Sequence, residues 1–156
     1  MNKLNSLVIH FLCIIWLVLA VGCSGGEVRL DSGDHPLAKI KHAVKKSLPL
    51  DVRLVSENGR EFYSEYFIER KGRVFKATKM GVRKYAHVVI LGERRPYTIT
   101  TQVLIEKRLS SKGMVKAEYE FVKYDEVLAR ALLKRIYKIL NESRDDGNIV
   151  DDFRVF

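Results

Sequence analysis

Cysteine is nearly absent from this chain: Cys13 and Cys23 are the only two among 156 residues. With nine residues between them they make no Cys-x-x-Cys pair, so neither a zinc ligand set nor a dithiol redox centre of that kind is encoded. The sequence also has no His-Glu-x-x-His stretch, no Gly-x-Ser-x-Gly elbow and no glycine-rich phosphate loop. The signatures of zinc proteases, α/β-hydrolases and nucleotide-binding enzymes are therefore missing. No internal repeat and no low-complexity tract occurs. Acid is missing over two long stretches, 35–50 and 70–84, although the chain as a whole holds 19 acids against 28 bases.

What is present begins at the N-terminus. Lys3 gives a short positive start, and Leu7 to Val21 is a run of fifteen residues broken only by His10. A transmembrane helix needs about 20 apolar residues, so fifteen is short for a span and suits the core of an export signal. Ala20 and Gly22 add small side chains before Cys23. Leu19-Ala20-Val21-Gly22-Cys23 resembles the lipobox of bacterial lipoproteins, with Ala20 in the slot usually held by leucine. The resemblance implies that residues 1–22 are removed and that Cys23 becomes a diacylated N-terminus. It also implies a lipid anchor on a bacterial membrane. In enteric members of that family a serine after the cysteine permits sorting to the outer membrane, and Ser24 holds that place. The expected location is the outer membrane facing the periplasm, with the inner membrane as the alternative.

Loss of residues 1–22 leaves 134 residues, enough for one domain with its own core. The leader carries one base and no acid, so the formal charge passes from +9 to +8. Cys13 goes with the leader, so no internal disulfide is possible and stability must come from packing. A charge of this size ordinarily raises nucleic acid as a partner. Outside the cytoplasm the nearer anions are acidic lipids, acidic glycans or another envelope protein.

Residues 23–33 read as the lipidated cysteine and a flexible tether, with Ser24-Gly25-Gly26 at one end and Ser32-Gly33 at the other. Ten extended residues reach roughly 33–36 Å, enough to hold a domain off the bilayer. The domain is expected over 34–156. A helix is expected over 36–48, capped by Asp34 or His35 and stopped at Pro49, with Leu37, Ile40, Val44 and Leu48 as its apolar stripe. The pattern then changes to period two. Asn58-Gly59 marks a hairpin, and a strand is expected over 61–69 with Phe62, Tyr66 and Ile68 on one face. Further strands are expected over 74–79, 84–91, 97–105 and 115–121. Ala86 to Leu91 is apolar on both faces, which predicts a central strand covered on both sides. Asp125 reads as the cap of a second helix from Glu126 to about Asn141. The fold class is therefore α+β: an N-terminal helix, an antiparallel meander of about six strands, and a C-terminal helix packed on the sheet. That order of elements is loosely similar to cystatin-like or nuclear-transport-factor-like folds.

Little points to catalysis. His35 and His42 stand two helical turns, about 10.5 Å, apart, too far to share a metal. His87 among valines reads as a packed side chain. Asp145, Asp146, Asp151 and Asp152 gather near the C-terminus without the spacing of a calcium loop. The expectation is a protein that is not an enzyme and needs no cofactor or metal. Basic residues are the candidate site: Lys39, Lys41, Lys45 and Lys46 on the first helix, then Arg70, Lys71, Arg73, Arg83 and Lys84. They form either an anion-binding surface or a set of scattered solubilising charges. The leading functional reading is a non-catalytic binding or assembly module. The alternative is a carrier of an apolar ligand such as lipid, in a cavity lined by residues such as Phe62, Tyr66, Tyr119 and Phe121.

Overall fold

Val28-Arg29-Leu30-Asp31 alternates apolar and polar residues, and it forms the first strand, β1 (Val28–Asp31). The computed structural model describes residues 26–78, 81–109 and 118–142. The order continues with α1 (Leu37–Ser47), β2 (Val52–Val55), β3 (Glu61–Ser64), β4 (Phe67–Arg70) and β5 (Arg73–Lys76). It ends with β6 (Val82–Leu91), β7 (Thr98–Arg108), β8 (Tyr119–Tyr124) and α2 (Glu126–Glu142). Among the described residues the fold is a mixed one, with an antiparallel sheet of eight strands and two helices. The expectation of a helix as the leading element is corrected, because a strand stands before it. The expected tether over 23–33 is shortened for the same reason: at Val28 the chain is already paired with Thr101 of β7.

The six-strand meander is also corrected. The main strand order is β1-β7-β6-β3-β2, with β8 on the same side of β7 as β1. β4 and β5 form a side hairpin held to β6 through Phe67 and Lys84. The stretch 61–69 is two strands, not one. Glu65 N–H turns to Asp51 O, and Tyr66 O accepts from Ala77 N–H. This break shifts the alternation, so Phe62 and Phe67, five apart, are both fully buried. Period-two counting cannot register such an irregularity.

Both helices bring apolar stripes to the core. α1 buries Ile40, Ala43, Val44 and Ser47, and α2 buries Ala129, Leu132, Leu133, Ile136 and Leu140. Against them lie Phe62, Phe67, Ala86, Val88, Ile90, Ile99 and Val103. Thr101 Oγ1 donates to Ala129 O at 3.1 Å, tying β7 to α2. β6 is central as expected, but only alternate residues, Ala86, Val88 and Ile90, are buried. Among the described residues no helix covers its other face, so the expected cover on both sides is not seen among them.

The helix ends differ in quality. α1 starts at Pro36 without a side-chain cap, so neither Asp34 nor His35 plays that part. α2 is capped as read: Asp125 Oδ1 accepts from Leu128 N–H at 3.1 Å. The same carboxylate meets Lys84 Nζ at 2.8 Å. Burial alone would raise the Asp125 pKa. The Lys84 ammonium and the Leu128 N–H outweigh it and hold the carboxyl below its ordinary value.

Candidate functional site

Two of the features that could take a partner are the face of the sheet turned away from the helices and a groove between the helices and the β4–β5 hairpin; a smaller apolar groove of about 280 Å³ lies among Val28, Leu30, Leu133 and Tyr137. Residues of opposite parity to the core line the first. Arg83 pairs with Glu106 at 2.7 Å, and its guanidinium lies 3.5 Å from the Tyr66 ring centre and 3.4 Å from that of Tyr119. Arg53 stacks over Tyr66 at 4.3 Å, and Tyr85 meets Tyr66 edge-on. A planar cation between two rings is favourable on both its faces, and here it closes the sheet surface over β6 and β7. Burial and then Glu106 raise the Tyr85 pKa; burial and then Glu61 raise that of Tyr63. Both phenols therefore stay protonated near neutral pH and cannot serve there as bases. His87 stacks on Tyr63, with centroids 4.3 Å apart. Its Nε2 is shielded and lies 3.6 Å from Glu61 Oε2, too far for a hydrogen bond.

The groove is different in character. Its volume is about 350 Å³. Leu48, Phe67, Val74 and Leu128 form its apolar wall, and Lys46 of α1 and Arg135 of α2 bring two cations to it. It lies where the side hairpin, through Phe67 and Val74, meets residues of both helices. All four β5 residues are exposed, Val74 among them. Such a groove can accept an apolar group that ends in a negative charge. Among the described residues no group of three His, Cys, Asp or Glu side chains is placed to hold a metal ion.

The nine basic residues expected as an anion surface are divided by the fold. Lys39, Lys41, Lys45 and Lys46 share α1. Arg70, Lys71 and Arg73 crowd the tip of the β4–β5 hairpin, where Lys71 and Gly72 both have positive φ and close a tight turn. Arg83 and Lys84 belong to neither set. They lie on opposite faces of β6, about one fifth exposed, and are held by Glu106 and by Asp125 and Glu69. Cys23 and the terminal carboxylates Asp145, Asp146, Asp151 and Asp152 lie outside the described residues. The four aromatics expected to line a carrier cavity are also split. Phe62 is in the core under the helices, whereas Tyr66 and Tyr119 clamp Arg83 on the opposite face. Phe121 is half exposed.

Arg135 was missed by the sequence reading. Its signal was faint: one base on a helix already rich in bases, recognisable only once α1 is known to lie beside α2. No family model matches the chain, and no curated protein or solved structure was found to match it. The likeness in element order to known folds therefore carries no argument.

Proposed function

We propose that this chain is a bacterial envelope lipoprotein, acylated at Cys23, whose folded part is a non-catalytic binding or assembly module at the membrane surface. The observation that carries the reading is the order of residues 3–23: a base, a fifteen-residue run apolar except for His10, small residues at its end, then cysteine. No described helix is long and apolar enough to cross a membrane. Attachment in this reading rests on lipid: one acyl chain holds a protein marginally, and two or three hold it firmly. The outer membrane, facing the periplasm, is the proposed location. The partner is an apolar group beside a negative charge, docked where Lys46 and Arg135 meet the apolar wall.

The same groove favours a second reading, a carrier of an apolar ligand such as lipid. Its volume, about 350 Å³, falls inside the usual range for small-molecule sites, about 300–1,000 Å³. The test is a pull-down from native membranes with wild type and Cys23→Ala, read by mass spectrometry for proteins and for lipids. Wild type should carry fatty acid on Cys23, and the variant should carry none. A protein recovered with both forms defines a module with its own binding face; lipid recovered in fixed ratio favours the carrier. An unacylated wild-type protein would overturn the anchor.

A further inference from the structure

The distance from the acylated residue to the folded domain is far shorter than the sequence suggests. Gly26 is buried, has φ +60°, and lies so close against Tyr124 that a Cβ there would strike its ring. Three residue steps separate Gly26 from Cys23 and span at most about 10–11 Å. The headgroup zone of one leaflet is about 5–7 Å thick. An acylated Cys23 thus holds the β1–β8 junction at the bilayer surface rather than free of it.

The residues around that junction suit such a place. Val127, in the first turn of α2, is 78% exposed, and Phe121 and Val122 of β8 are about half exposed. Phe121 packs beside Tyr124, the residue that Gly26 touches. Arg29, Lys123 and Arg130 are exposed on or beside these elements, and so are Glu27, Glu120 and Glu126. Glu27 pairs with Arg29 and Glu126 with Arg130, so charge there largely cancels and the apolar trio carries the contact. Exposed apolar side chains bordered by long charged ones, whose stems can lie along the hydrocarbon, suit a surface that lies in a lipid interface.

We infer that Phe121, Val122 and Val127 form a membrane-docking corner that seats in the phospholipid headgroup zone of the leaflet holding Cys23. This rests on acylation at Cys23. Docking fixes the orientation: β8 is against lipid, and the β2 edge, four strands away, points outward, roughly 19 Å further across the sheet.

The experiment uses the full acylated protein reconstituted in phosphatidylethanolamine/phosphatidylglycerol vesicles bearing a nitroxide on the headgroup. The mature chain has no cysteine besides Cys23, so Val127→Cys and, in the β2–β3 turn, Glu57→Cys each give one labelling site. Both positions are exposed, so a fluorophore leaves the core untouched. The acyl mass on Cys23 is measured in the same samples. The expected result is quenching several-fold stronger at position 127 than at position 57. Equal quenching with acyl chains present overturns the docking corner and leaves the anchor standing. Absence of acyl chains overturns both.

Discussion

Replacing Asp125 by alanine removes two interactions at once, and the structure allows them to be separated. Oδ1 caps α2 through Leu128 N–H, and Oδ2 pairs with Lys84. Loss of an N-cap costs about 1 kcal/mol, within a range of roughly 0.5–2. A hydrogen bond to a charged group contributes about 1.5–3 kcal/mol when its surroundings are largely buried. The two side chains are 18% and 20% exposed, which places the pair near that case and away from the surface pairs that contribute little. Lys84 keeps Glu69 at 3.6 Å, which softens the loss. The expected cost of Asp125→Ala is about 2–4 kcal/mol, a large part of a small domain's stability. Asn at the same place keeps a capping oxygen and loses only the charge, so Asp125→Asn should cost about half as much. Urea unfolding of residues 24–156, followed by circular dichroism, reads both values. The pH dependence supplies an independent sign. The folded pKa of Asp125 lies below its unfolded value, so its contribution is full above the unfolded value, about 4. It is lost as pH falls through the folded pKa. Asp125→Asn should flatten that part of the stability curve. The reasoning fails if alanine costs under about 0.5 kcal/mol, or if asparagine costs as much as alanine.

Gly26→Ala should destabilise the same fragment by about 1–3 kcal/mol, since it places a Cβ at positive φ against Tyr124; thermal unfolding would show it, and no change would refute the close approach. Arg83→Lys keeps the charge opposite Glu106 but loses the flat cation between Tyr66 and Tyr119. A loss of about 1–2 kcal/mol in urea unfolding is expected, and a neutral outcome would mean that the stacking contributes nothing. Charge reversal in the groove, Lys46→Glu with Arg135→Glu, should weaken binding of a fluorescent fatty acid at least several-fold with unfolding unchanged. Equal affinity would remove the groove from consideration.

The helices were legible because each rests on one strong periodic stripe. Ile40, Val44 and Leu48 were identified from spacing alone and lie in the core. Asp125 was legible because capping is local chemistry. β1 was overlooked because the glycines around Val28 and Leu30 outweighed a four-residue alternation. The break at Glu65-Tyr66 and the skipped pairing of β5 with β6 depend on contacts far apart in the chain, which no local pattern carries. The groove was hidden for the same reason: Lys46, Phe67, Val74, Leu128 and Arg135 come from four elements. Charge was the weakest guide. The basic run 70–84 read as one feature, yet it divides into a hairpin tip and two internal ion pairs facing opposite ways.

That hairpin tip bears on how copies would behave if the proposed anchor confines them to one plane. Among the described residues β5 pairs only with β4, so no described strand covers its outer edge, and Val74 and Phe75 are exposed there. Proteins crowded on a shared sheet of lipid meet edge to edge often, and an open strand invites one copy to zip onto the next. Arg70, Lys71, Arg73 and Lys76 bring like charge to any such encounter, so the bases that looked like a docking site for anions also act as a guard against self-association.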